Sequence, residues 1–295
     1  MRIDDVTIIG GGIAGISCAV QLTRYGIKPS IFEKRNLGGL LLNANLIENY
    51  PGFPEGISGI ELINLLKKQL IRNKIEVLFE EVLDLQCNKE KIEIKTEKKI
   101  YISEFAVIAT GTKPKKFKDF VIPKEIKSKI FYEVHKIRTV KNKKITIVGG
   151  GDAAFDYALN LAKANNVIIL NRNKSHRCIP ILFEREENSS KINYMKNTKI
   201  NNISSSGNTI KIECITAEKT FKIKTDYLLF AIGRTPCLDF LSEELKEKSL
   251  KQNANNRLYL AGDVKNGIFR QASIAAGDGI KTAMQIYKQM EKGNI

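Results

Sequence analysis

No two cysteines in this 295-residue sequence form a C-x-x-C pair: Cys18, Cys87, Cys178, Cys214 and Cys237 are scattered and odd in number. That excludes a disulfide framework and a zinc knot, and five reduced structural thiols are expected. Cys18, in the stretch Ile16-Ser17-Cys18-Ala19-Val20, reads as a small buried residue of a helix lying on a sheet. Histidine is scarcer still. His135 and His176 stand far apart with no cysteine pair near either, so no metal site is expected. Long apolar runs are also missing: Val167-Ile168-Ile169-Leu170 is far too short to cross a bilayer. Residues 1–5 lead straight into a strand rather than a signal segment, so a cytoplasmic protein with no membrane partner is expected.

What is present is a composition of two ordinary cores, 43% hydrophobic and 27% charged. The formal net charge is +16, which predicts attraction to an acidic partner. Between positions 113 and 144 twelve basic residues face three acidic ones, and Lys115, Lys116 and Lys118 in that segment are read as a docking patch. Nucleic acid is not expected as the partner, because no recognition helix or interleaved aromatics accompany the lysines.

The hydrophobic periodicity predicts a strand at residues 5–10, a helix at 14–25 and a strand at 29–33, and the same order recurs at 144–149, 152–164 and 167–170. Each half continues through short strands (91–95 and 101–108; 209–214 and 220–230), and each ends on a buried strand stopping at glycine, Gly111 or Gly233. The expected fold class is α/β, with two Rossmann-like, three-layer ββα nucleotide-binding domains. The expected boundaries are 1–114 and 238–295 for the first, discontinuous domain and 115–237 for the inserted one.

Gly10-Gly11-Gly12-Ile13-Ala14-Gly15 is a G-x-G-x-x-G at a strand-to-helix turn, where bare amides and the helix N-terminus favour a diphosphate. Glu33 ends the next strand, where a carboxylate can accept ribose hydroxyls. The second turn, Gly149-Gly150-Gly151-Asp152-Ala153-Ala154, is followed by a strand ending at Asn171-Arg172 without a carboxylate. Arg172 and Arg177 can instead pair with a 2′-phosphate, which favours NADPH over NADH.

These motifs, together with Glu48-Asn49-Tyr50-Pro51-Gly52-Phe53-Pro54, Ala109-Thr110-Gly111, Gly262-Asp263 and Arg270-Gln271-Ala272, resemble the low-molecular-weight thioredoxin reductase family over nearly the whole chain. The resemblance implies a homodimer with an FAD domain built from both chain ends and an inserted NADPH domain. It implies FAD contacts from Gly10, Gly12, Ile13, Ala14, Gly15, Glu33, Lys34, Gly39, Leu40, Val82, Thr110, Gly111, Gly262, Arg270 and Ala272. Asn49 and Gln271 are implied to lie near the flavin, and Asp263 at the ribityl chain. For NADPH the implied positions are Gly149, Gly151, Asp152, Ala153, Ala154, Arg172, Arg177 and Gly233. The family's basic signature appears as Asn171-Arg172-Asn173 with Arg177, one arginine fewer than usual.

One departure is larger. At the family's redox-active dithiol stands Tyr132-Glu133-Val134-His135, so no protein dithiol can relay electrons. A sister group, the thioredoxin-reductase-like ferredoxin–NADP⁺ reductases, also lacks the dithiol, and Gly149-Gly150-Gly151-Asp152-Ala153-Ala154-Phe155-Asp156-Tyr157-Ala158 is similar to its second motif. The expected function is therefore an FAD-dependent NADPH–ferredoxin or NADPH–flavodoxin oxidoreductase, with Tyr132 and His135 as candidates beside the flavin. The alternatives are an NAD(P)H oxidase, a disulfide oxidoreductase using an external thiol, and a non-catalytic flavin-binding module.

Overall fold

The computed structural model describes residues 3–88, 91–250 and 257–293. They group into two compact units, one drawn from residues 1–42, 47–113 and 235–295, the other from 43–46 and 114–234. In chain order, β1 (Ile3–Ile9), α1 (Ile13–Arg24), β2 (Pro29–Phe32), α2 (Gly59–Arg72) and β3 (Glu76–Leu78) precede β4 (Val82–Cys87), β5 (Ile92–Thr96), β6 (Ile100–Ile108) and β7 (Thr112–Pro114). There follow β8 (Ile130–Phe131), β9 (Lys144–Val148), α3 (Asp152–Ala162), β10 (Asn166–Leu170), α4 (Pro180–Glu187) and β11 (Ile192–Met195). Next come β12 (Lys199–Ser206), β13 (Thr209–Ile215), β14 (Thr220–Thr225), β15 (Tyr227–Phe230), β16 (Arg234–Pro236), α5 (Glu243–Leu250), β17 (Leu258–Leu260) and α6 (Ala272–Gly293).

The two units share one architecture. In the first, β3, β2, β1, β6 and β17 form a parallel sheet, and β5 and β4 extend β6 as an antiparallel meander. In the second, the parallel order is β11-β10-β9-β15-β8, beside a separate antiparallel meander of β12, β13 and β14. The parallel strands read as unbroken apolar runs because layers cover both faces; all four residues of β2 are buried. The meander strand β13 alternates instead, with Ile210, Ile212 and Cys214 inward and Lys211 and Glu213 outward.

The stretch 220–230, expected as one strand, is two. It breaks at Asp226, whose carboxylate accepts from the Lys144 amide at 2.8 Å, while the Thr225 hydroxyl donates to the Lys144 carbonyl at 2.7 Å. This corner sends β14 into the antiparallel meander and β15 into the parallel sheet.

Close helix packing holds the first glycine turn. A Cβ on Gly279 of α6 would lie 2.1 Å from the Ala14 carbonyl oxygen of α1, so only glycine permits this approach. Cys18, further along α1, is fully buried, and burial pushes its thiol pKa far up. Residues 43–46 group with the second unit because α3 holds them: the Asn45 amide donates to Asp156 at 3.1 Å, and Lys163 donates to the Asn45 side chain at 2.7 Å. Among the described residues no helix is long and apolar enough to cross a membrane.

Candidate functional site

In the first unit three of the four glycines of the β1–α1 turn have three separate reasons to be glycine. Gly10 has φ +112°, and a Cβ there would sit 2.4 Å from the Ala109 carbonyl oxygen. A Cβ on Gly15 would lie 2.1 Å from the Gly10 carbonyl oxygen, so this glycine lets the helix start directly on the turn. Gly12 has nothing within 4 Å, so its backbone is open to a ligand. Ile13 and Ala14 are buried in the first turn of α1, with no acidic side chain there to oppose an anion.

Several of the expected positions lie at this turn. Glu33 accepts from the amides of Gly11 and Arg35, each at 2.9 Å, and each carboxylate oxygen keeps a lone pair for a hydroxyl donor. The Gly38 amide donates to the Gly11 carbonyl at 2.8 Å, and a Cβ on Gly39 would come within 3.4 Å of the Gly12 Cα, which brings Gly39 and the half-buried Leu40 to the turn. Thr110 donates to the Cys237 carbonyl at 2.7 Å, and Gly111, with φ +61°, has nothing near its Cα face. Gly262 packs on Ala14, and its amide donates to Asp278 at 3.2 Å; Asp263 follows in the same 3₁₀ turn. Asn49 donates to Gln271 at 3.0 Å just before α6 begins at Ala272, and Arg270 carries a buried Nε with no hydrogen-bond partner. Two expected residues are engaged elsewhere: Lys34 pairs with Glu81 at 3.5 Å on the surface, and Val82 is buried in the core formed with Phe32 and Tyr101.

The second unit repeats the geometry at β9–α3. Gly149 has φ +156°, and a Cβ there would lie 2.5 Å from the Ala231 carbonyl oxygen, whereas Gly151 faces open space. Where Glu33 holds Gly11, Asn171 crowds Gly150: its side-chain atoms come within 2.6 Å of a Cβ placed there, and its amide donates to Ser175 and Tyr194. Asp152 is engaged by the protein's own backbone. It accepts from the Ile179 amide at 2.9 Å and so fastens the 172–179 loop to the start of α3, with Ala153 exposed and Ala154 buried beside it. Arg177 lies against the turn by its amide, 2.6 Å from the Gly150 carbonyl, while Arg172 is exposed after β10. His176 is stacked on Phe183, with ring centroids 4.0 Å apart, and its Nδ1 lies 3.2 Å from the Cys178 sulfur.

The segment at the dithiol position separates into two environments. Tyr132 packs in the second unit: its ring stacks on Phe230 at 5.4 Å, Lys116 lies 4.1 Å above it, and its hydroxyl accepts from the Phe117 amide. Tyr132, expected beside the flavin, thus has both its ring and its hydroxyl engaged within the second unit. His135 belongs to a polar network that has no signature in the local sequence. Its backbone amide and Nδ1 both lie on Asn43 Oδ1, at 3.2 and 2.9 Å, while Asn43 Nδ2 donates to Glu133. Because an amide oxygen only accepts, His135 Nδ1 carries the proton. Glu133 also accepts from Arg234 at 3.0 Å, with both side chains largely buried. Nearby, burial raises the Asp156 pKa to about 6, and burial with the Glu133 charge pushes the Tyr157 phenol far up.

None of the five thiols is paired, and burial raises each of their pKa values, to about 11 for Cys87, Cys178 and Cys214. A thiol that resists ionisation is a poor nucleophile at neutral pH.

Comparison with known proteins gives this geometry its relatives. The chain is 30% identical to a thioredoxin reductase of Buchnera aphidicola, covering 95% of this chain and 94% of that one. It is 28% identical to a thioredoxin reductase of Chlamydia pneumoniae, covering 94% and 96%. A crystal structure of Lactococcus lactis thioredoxin reductase, 25% identical, superposes with a TM-score of 0.88 over 98% of this chain and 99% of that one. Residues 4–279 match the pyridine nucleotide-disulphide oxidoreductase family, and the chain belongs to that family.

Proposed function

We propose that this protein is an NADPH-dependent FAD oxidoreductase that passes electrons to an acidic one-electron carrier of the ferredoxin or flavodoxin class, with no protein dithiol in the route. The observation that carries this reading is the pair of facts at the dithiol position: Tyr132, Glu133, Val134 and His135 occupy it, and all five thiols are unpaired with raised pKa values. Thioredoxin reductase-like members of the family use FAD and NADPH.

The residues fit both groups. Gly12 and Gly151 leave bare backbone at two helix starts, Glu33 keeps acceptor capacity, and the buried Arg270 Nε lacks a partner among the described residues. A bound FAD supplies acceptance of a hydride from nicotinamide and release of electrons one at a time. The protein supplies position and charge. The β1–α1 turn and Glu33 would hold the adenine nucleotide of FAD, and the Asn49–Gln271 pair would fix the two segments beside the ring. The β9–α3 turn would hold NADPH, with Arg172 and Arg177 taking the 2′-phosphate. The second unit holds 24 Lys and Arg against 11 Asp and Glu, so it carries +13 of the chain's +16 and steers an acidic partner. The active form is a homodimer in this reading.

The test is anaerobic mixing of NADPH with the FAD-loaded protein, followed by steady-state cytochrome c reduction with and without ferredoxin or flavodoxin. Fast flavin bleaching and carrier-dependent reduction support the reading, and carrier-independent reduction contradicts it. A second reading, direct reduction of an external disulfide, draws on the thioredoxin reductase names of the relatives. NADPH-dependent insulin precipitation with added thioredoxin supports it, and no precipitation removes it.

A further inference from the structure

Two cations flank Gly233, and only one is neutralised. Arg234 donates to Glu133 at 3.0 Å. Lys115 donates its amide to the Gly233 carbonyl at 2.9 Å, and its Cδ and Cε lie 3.6 and 3.9 Å from where a Cβ on residue 233 would stand. The aliphatic stem therefore covers the bare face of a glycine whose φ is +109°. Neighbouring lysines are engaged, Lys113 with Asp239 and Lys116 over Tyr132. Among the described residues no carboxylate pairs with Lys115.

The stem of Lys115 has a defined place relative to the second glycine turn. Gly233 follows the carboxyl end of β15, and the chain before it abuts that turn, with Ala231 oxygen 2.5 Å from a Cβ on Gly149. Nucleotides lie beyond the carboxyl ends of parallel strands. The strand order β10-β9-β15 puts Arg172, after β10, on one side of the β9 turn and Lys115, beyond β15, on the other. Asp152 meanwhile adds a negative charge to the first turn of α3, where a diphosphate would sit, and a nearby cation would offset it.

We propose that Lys115 is a nucleotide-binding residue whose ammonium pairs with the diphosphate of the dinucleotide, opposite the arginines that take the 2′-phosphate. The inference rests on the reading of the β9–α3 turn as the NADPH site, and it moves Lys115 from the partner patch to the nucleotide.

The experiment is calorimetric titration of the FAD-loaded protein with NADP⁺, NAD⁺ and 2′,5′-ADP, the last of which lacks the diphosphate bridge. Lys115→Gln is expected to weaken NADP⁺ and NAD⁺ by the same factor, about tenfold, with 2′,5′-ADP nearly unchanged and Lys115→Arg restoring most of the loss. Arg172→Ala should weaken NADP⁺ and 2′,5′-ADP but spare NAD⁺. An affinity of Lys115→Gln for NADP⁺ within about twofold of the unmodified protein overturns the proposal, because a solvated surface lysine contributes little. Loss on NADP⁺ and 2′,5′-ADP without loss on NAD⁺ also overturns it, by moving the contact to the 2′-phosphate. If the unmodified protein binds neither dinucleotide, the NADPH reading falls first and takes this inference with it.

Discussion

The side chain of Asn49 donates to Gln271 at 3.0 Å, joining residues 222 positions apart in the chain. A second bond runs alongside, from the Ser273 hydroxyl to the Asn49 carbonyl at 3.0 Å. Together they fasten the loop before α2 to the start of α6. Gln271→Ala is expected to cost only about 0.5–1.5 kcal/mol of stability, since the pair is exposed. FAD retention should fall more clearly than stability does, and the flavin-to-protein absorbance ratio after gel filtration measures it. Unchanged retention with lowered stability would restrict the pair to a structural role.

Gly279 and Gly277 make a matched test of the α1–α6 contact. A Cβ at 279 meets the Ala14 carbonyl oxygen at 2.1 Å, whereas a Cβ at 277 meets nothing within 4 Å. Gly279→Ala must push α6 from α1, with an expected loss of about 2–4 kcal/mol. Gly277→Ala should gain about 0.5–1 kcal/mol, because alanine loses less backbone entropy inside a helix. Thermal melts of the two variants check both signs.

Asp156 gives stability a pH dependence. Its folded pKa is raised from 3.8 to about 6, chiefly by burial, against the pull of Lys163 and the Asn45 and Leu46 amides. The charged carboxylate therefore costs stability above pH 6; the cost fades as pH falls through 6 and is gone below the unfolded value. Asp156→Asn keeps an acceptor for the Asn45 amide and removes the charge. It is expected to raise stability at pH 8 by about 1–3 kcal/mol, with the gain vanishing near pH 4, as read by melts across that range. A gain that does not depend on pH would contradict the burial of an ionised group.

Much of this site is legible in the sequence because glycine is a backbone requirement. Gly10 and Gly149 need positive φ and close approach to another carbonyl, and no other residue supplies both. Glu33 is legible for a similar reason, lying one strand after the turn it braces. The Asn43–Glu133–Arg234–His135 network is not, because its members are set together by residues 43–46 joining the second unit, a tertiary choice without local periodicity. The packing of Tyr132 is not legible either, because its partners Phe117 and Phe230 come from separate parts of the chain.

Charge reversal at Lys118 and Lys124 separates partner docking from nucleotide binding. Both lie in the basic stretch before β8, and neither comes within 4 Å of a Cβ placed on Gly233. Lys118→Glu with Lys124→Glu is expected to slow carrier-linked turnover about tenfold at low salt and flatten its ionic-strength dependence, while NADPH-driven flavin bleaching is unchanged. Equal turnover at all salt concentrations would move the dock elsewhere.

The most direct measurement is an anaerobic NADPH titration of the FAD-loaded protein, with reduced thiols counted before and after. One equivalent of NADPH per FAD should complete the bleaching with no thiol gained, because the flavin alone holds the electrons. Uptake of a second equivalent, together with two new alkylatable cysteines, would show a protein disulfide in the route and contradict the account.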